Sequence, residues 1–203
     1  MQGFQTIEVN GNVLFEKAAM TGQSSHVGEL EDRACFLFML KGNNVAVEQM
    51  GMTEVRATDG IMKRCSQYVS HFVADESDDY CEAVAIYFYP DFIKKIFKNE
   101  IVQFASVPST DFNTRKVVSN TLIHQYIKGL NPYFEVPELM DVEMASIKIK
   151  ELVQLLLKSE NRNSVLEFFS EIFASPTEVT FGDIIENNLY SDITMDHSLT
   201  SAT

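Results

Sequence analysis

The chain has 203 residues, of which 45% are hydrophobic, enough for one globular domain with a sizeable core, or a domain with an appendage. Sixteen Lys and Arg stand against 29 Asp and Glu, a formal net charge of −13. A surface so negative repels phosphate backbones, so the chain by itself is a poor binder of DNA or RNA.

Three cysteines, Cys35, Cys65 and Cys81, are odd in number and lack C-x-x-C spacing, as suits reduced thiols in a cytosol. The N-terminus lacks the basic start and apolar run of a signal peptide. No apolar stretch nears the roughly 20 residues of a membrane-spanning helix. The expectation is a soluble, cytoplasmic protein that makes no membrane contact.

Taken in order, the first half reads as strands. Residues 34–41 (ACFLFMLK) form a continuous apolar run, as in a strand buried on both faces. Turn residues at 41–44 (KGNN) lead to a strand at 45–48, and Gly51 to another at 52–57. Asp59-Gly60 precedes 61–65, alternation resumes over 68–74, DESDD at 75–79 is a polar loop, and 82–89 (EAVAIYFY) is the last strand. Short strands between Gly, Asn and Asp turns predict an antiparallel barrel or sandwich. Cys35, Leu37 and Met39 share one face and Phe36, Phe38 and Leu40 the other. Likewise Ala83, Ala85, Tyr87 and Tyr89 oppose Val84, Ile86 and Phe88. Alternation alone does not assign which face points inward.

The second half changes period. Pro90 opens a helix with Phe92, Ile93, Ile96 and Phe97 on one face. A second helix is predicted over 113–130, with Val118, Leu122, Ile123, Tyr126, Ile127 and Leu130 on its apolar side. A third spans 143–159, with a stripe of Ile149, Leu152, Val153, Leu156 and Leu157, and Leu155 adding apolar surface outside it. A fourth spans 163–173, with Val165, Phe169, Ile172 and Phe173. The last two form a helical hairpin, and Ser175-Pro176-Thr177 reads as a linker.

Residues 139–159 (LM, then IKIKELVQLLLKS from 147) and 181–195 (FGDIIENNLY, then SDITM), with Tyr133-Phe134 upstream, resemble the junction between sensory and DNA-binding domains in AraC-type transcriptional regulators. The similarity is greatest to the subgroup containing the type III secretion activators. It implies an α+β fold with three parts: a cupin-like antiparallel β-barrel over 1–90, a helical dimerisation region over 91–174, and over 175–203 a linker and the opening of a helix-turn-helix domain. The remainder of that domain, with its basic recognition residues, does not follow in this sequence. The resemblance further implies a homodimer through Ile149, Leu152, Val153, Leu156, Val165 and Phe169. Its partner is a small hydrophobic effector or a regulatory protein, and DNA is contacted only through the missing domain.

An enzyme is not expected. A cupin metal centre needs clustered imidazoles with a carboxylate, whereas His26, His71, His124 and His197 form no H-x-H pair. Nucleophile elbows and phosphate loops are missing from the sequence, and no cofactor is implied. The barrel is expected to be filled or to enclose a modest apolar pocket, with Leu37 and Met39 on its wall and His71 or Tyr87 as polar handle. Two other readings are a stand-alone small-molecule-binding cupin or cupin enzyme, whose helices only close the barrel, and a secretion-linked adaptor. The 181–195 segment argues against the adaptor.

Overall fold

The structure is a computed structural model that describes residues 3–29, 33–48, 51–64, 67–75, 79–97 and 114–173. It opens on a hairpin of β1 (Gly3–Val9) and β2 (Asn12–Thr21). Asn10 and Gly11 between them take φ of 52° and 77°, the pair of positive values that a two-residue hairpin turn demands. There follow β3 (Gln23–Glu29), β4 (Ala34–Lys41), β5 (Asn43–Glu48), β6 (Gly51–Arg56), β7 (Gly60–Lys63), β8 (Gln67–Val73) and β9 (Tyr80–Phe88). With β10 (Thr114–Val117) from further along the chain, the strands form an antiparallel six-stranded sheet ordered β1-β2-β9-β4-β7-β10, and a four-stranded one ordered β3-β8-β5-β6. The outcome is α+β, with two facing sheets rather than a ring of strands hydrogen-bonded into a closed barrel.

Gly42, between β4 and β5, sits at φ +73°, and a Cβ there would lie 2.6 Å from the Val73 carbonyl oxygen and 2.7 Å from Cys81 Cβ. Gly11 has a similar φ of +77° but open space around it. Gly42→Ala is therefore expected to cost about 3 kcal/mol, left-handed strain plus overpacking, and Gly11→Ala about 1 kcal/mol, strain alone. Urea midpoints of the two variants check this, and equal losses would remove the steric part of the argument.

The six-stranded sheet is covered on both faces, which is why β4 reads as an unbroken apolar run. Phe36, Phe38, Met62, Val84, Ile86 and Phe88 point towards the helices and form the larger core. Met39, Ile61 and Ala83 point the other way and meet Ala46, Val55 and Phe72 of the four-stranded sheet.

After β9 come α1 (Pro90–Ile96), β10 (Thr114–Val117), α2 (Thr121–Lys128), α3 (Asn131–Glu135), a 3-10 turn (Pro137–Leu139), α4 (Val142–Leu157) and α5 (Arg162–Phe173). The helix expected over 113–130 is thus a strand and a shorter helix. Thr114–Val117 pairs with β7, and Asn120 then starts α2 by accepting the Ile123 amide at 3.0 Å. Val118 and Leu122, expected on the apolar side, are exposed. Asp141 caps α4 by accepting the Met144 amide at 2.8 Å. The Tyr126 hydroxyl donates to the Lys148 carbonyl at 2.9 Å, tying α2 to α4, and burial pushes its pKa well above the usual phenol value. Phe88 of β9 meets Phe168 and Phe169 of α5 edge-on, with centroids 6.0 Å and 5.2 Å away. The linker and the helix-turn-helix resemblance at 175–203 lie outside the described residues, as does Cys65.

Candidate effector cavity

The antiparallel registers bring side chains of the six-stranded sheet into cross-strand rows facing the smaller sheet. One row runs Lys63 (β7), Cys35 (β4), Tyr87 (β9). The next runs Ile61, Leu37, Ala85, Glu16, and a third Met39, Ala83, Ala18, Phe4. Alanines at 18, 83 and 85 leave the centre of this face shallow. A small cavity of about 60 Å³ results, roofed by His26 of β3 and by Ser70 and Phe72 of β8; the space between atoms rises to about 570 Å³ when the open solvent at its mouth is included. Its mouth lies at β1–β3, where Phe4 and His26 are exposed; its far end lies at Lys63, 2% exposed.

Lys63 donates from Nζ to Ser70 Oγ at 2.6 Å. Near the same end, Arg33 donates to the Tyr89 hydroxyl at 2.7 Å, and its guanidinium carbon lies 4.7 Å from the Tyr87 ring centroid. Partial burial works against the Arg33 charge, but the hydrogen bond to Tyr89 and the nearby tyrosines outweigh it, and its pKa is held above the ordinary value. Cys81 lies off the cavity wall. Burial pushes its thiol up, and it donates to the Met20 carbonyl, so it is inert packing.

Of the residues expected at a pocket, Leu37 and Tyr87 line the cavity. Met39 shares their face but is fully buried between the sheets, beside the cavity. His71 is corrected: Ser70 and Phe72 point inward, so the residue between them points out, and its Nδ1 meets the exposed Ser25 hydroxyl at 2.9 Å. Lys63, Ser70 and the alanines went unread in the sequence. The available signal was in β9, where small residues at 83 and 85 alternate with bulky ones at 84, 86 and 88.

The six residues expected at a dimer interface are also corrected. Ile149, Leu152, Val153, Leu156, Val165 and Phe169 are each 0% exposed in the single chain, all in the core between helices and sheet. Their stripes meet each other and the sheet, and leave no surface for a second copy. Among the described residues no three His, Cys, Asp or Glu side chains gather as a metal site, and no helix is long and apolar enough to cross a membrane.

Comparison with known proteins places this geometry. The model of the ExsA N-terminal regulatory domain family matches residues 34–168. No curated protein sequence matches at a significant level. Among solved structures, an apo variant of ToxT from Vibrio cholerae shares 11% identity over 94% of this chain and 76% of its own, with a TM-score of 0.51. Another ToxT structure from Vibrio cholerae also shares 11%, over 93% and 76%, with a TM-score of 0.51. The AraC-like transcriptional activator CuxR shares 10% over 92% and 65%, with a TM-score of 0.44. At such identities the ToxT likeness speaks to the fold alone. The family match covers well over half of the sequence, from β4 into α5, and so the chain belongs to the ExsA N-terminal regulatory domain family, a regulatory domain of AraC-type transcription regulators.

Proposed function

We propose that the chain senses a small apolar effector in the inter-sheet cavity and passes its occupancy to the α4–α5 pair, which sets how two copies, and the DNA-binding units they carry, are placed. The observation that carries this reading is the shared sheet. Along β9, Ala83, Ala85 and Tyr87 face the cavity, while Phe88 touches Phe168 and Phe169 of α5. A ligand that displaces the first set moves the second, provided it binds one arrangement of the helices more tightly than the other. Copies pair through outward-facing residues of the helical region such as Ile147, 52% exposed, and not through the buried stripes. The protein acts by binding, and DNA is read by a separate basic domain.

Filling the cavity tests the reading. The neutral fluorophore N-phenyl-1-naphthylamine is expected to bind the wild type and to bind Ala85→Phe at least about tenfold more weakly, with circular dichroism and melting retained. Equal binding by the two proteins would place the probe elsewhere and remove the cavity as an effector site.

A further inference from the structure

We infer that the effector carries an uncharged hydrogen-bond donor, a hydroxyl or an N–H, that reaches Asn44 behind Phe72; this rests on the effector reading above. Asn44 is 0% exposed. Its Nδ2 donates to the His71 carbonyl at 3.5 Å, and no donor among the described residues reaches its Oδ1. An amide oxygen kept from water without a partner destabilises a fold, so nearly all buried polar groups are paired, and one that is not calls for a cause. Asn43, on the opposite face of β5, does meet a partner, the Asp75 carboxylate at 3.3 Å. Turn chemistry after Gly42 therefore accounts for the first asparagine and not for the second.

The strand registers place this oxygen. On the inner face of the smaller sheet one row runs Ser24 (β3), Phe72 (β8), Asn44 (β5), Val55 (β6). Ser24 Oγ is also buried and without a partner among the described residues. Two unpartnered oxygens thus flank Phe72, on residues about 10 Å apart at ordinary strand spacing. Phe72 lines the cavity while Ser24 and Asn44 do not, so the Phe72 side chain separates the cavity from both. At about 60 Å³ the cavity must enlarge to take the body of an effector, since ligand pockets run from about 300 Å³ upward. Turning Phe72 to another rotamer enlarges it in a direction that also uncovers the two oxygens. Ala46, Val55 and Phe72, the neighbours of Asn44 on this face, carry no charge, and an ionic group desolvated among them would meet no counterion. A neutral donor fits Asn44, and Ser24 Oγ can give or accept a second hydrogen bond.

Two probes of nearly equal size decide the matter. 1-Naphthol has a hydroxyl where 1-methylnaphthalene has a methyl group, and each is measured by its displacement of N-phenyl-1-naphthylamine from the full chain. A cavity that offers the hydroxyl no partner prefers the methyl compound, which is the more hydrophobic. The wild type is expected to bind naphthol at least as tightly, and Asn44→Leu to shift the ratio at least about tenfold towards methylnaphthalene. A wild type that prefers methylnaphthalene, or a ratio that Asn44→Leu leaves unchanged, overturns the inference. Should Asn44→Leu fail to fold, the wild-type ratio decides by itself. Fluorophore binding that Ala85→Phe weakens, with methylnaphthalene the preferred competitor, removes the donor and keeps the effector cavity; no binding of the fluorophore removes both.

Discussion

Leu152→Asp is expected to abolish the folded state. Leu152 is 0% exposed near the middle of α4, in one core with Ile149, Val153 and Leu156 of its own helix and Val165 and Phe169 of α5. The substitution forfeits about 2 kcal/mol of apolar burial and places a carboxylate where it must be desolvated or protonated, a further several kcal/mol. The sum is a large part of the 5–15 kcal/mol that typically separates folded from unfolded chains. Purified variant should show no cooperative thermal transition. A variant that melts like the wild type but loses mass in light scattering would return Leu152 to a dimer interface. Ile147→Asp, on the exposed side of the same helix, is the matched comparison, expected to keep a cooperative transition while losing mass in light scattering.

Phe88→Ala is expected to cost about 3–5 kcal/mol, the usual range for removing a fully buried phenylalanine. The effect should be uneven. Phe88 is the last residue of β9, and its ring is the edge-to-face partner of Phe168 and Phe169. Those two are themselves perpendicular, at 5.3 Å between centroids. With Phe88 gone, α5 loses its seat on the sheet, while the β1–β2 hairpin keeps its register. Urea denaturation measures the loss, and amide exchange should show protection falling first along α5. A loss below about 1.5 kcal/mol would mean that the two remaining rings collapse into the space.

What could be read from the residues depended on how many faces of an element are buried. The run over 34–41 coincides with β4 because a strand covered on both sides has no polar interruption. The hairpin of α4 and α5 was legible because a stripe sustained over three or four turns has no strand alternative; its start at the Asp141 cap, ahead of the expected 143, was not read. β1 to β3 went unread: β1 is an edge strand with mostly exposed side chains, so its alternation carries little apolar signal, though Asn10-Gly11 was there as a hairpin turn. β10 was misread because Val118, Leu122 and Ile123 imitate a helical period, while Asn120 restarts the backbone as a cap. Doubly buried strands hide which face is which, and so the inward direction of Leu37 and Tyr87, and the outward one of His71, required the pairing partners. The six stripe residues had the right burial and the wrong neighbour: periodicity says that a face is covered, and says nothing of whether the cover is the same chain.

The double covering of β9 also bears on how variation in this protein would sort genetically. Neighbouring codons from 83 to 88 specify alternately a residue on the cavity side and a residue under the helices. If the cavity holds the effector as proposed, changes at 83, 85 and 87 give alleles that fold and misread their signal, constitutive or deaf. Changes at 84, 86 and 88 give loss of the protein, relieved by cooler growth. Two classes of phenotype interleave at a spacing of two residues along a single strand.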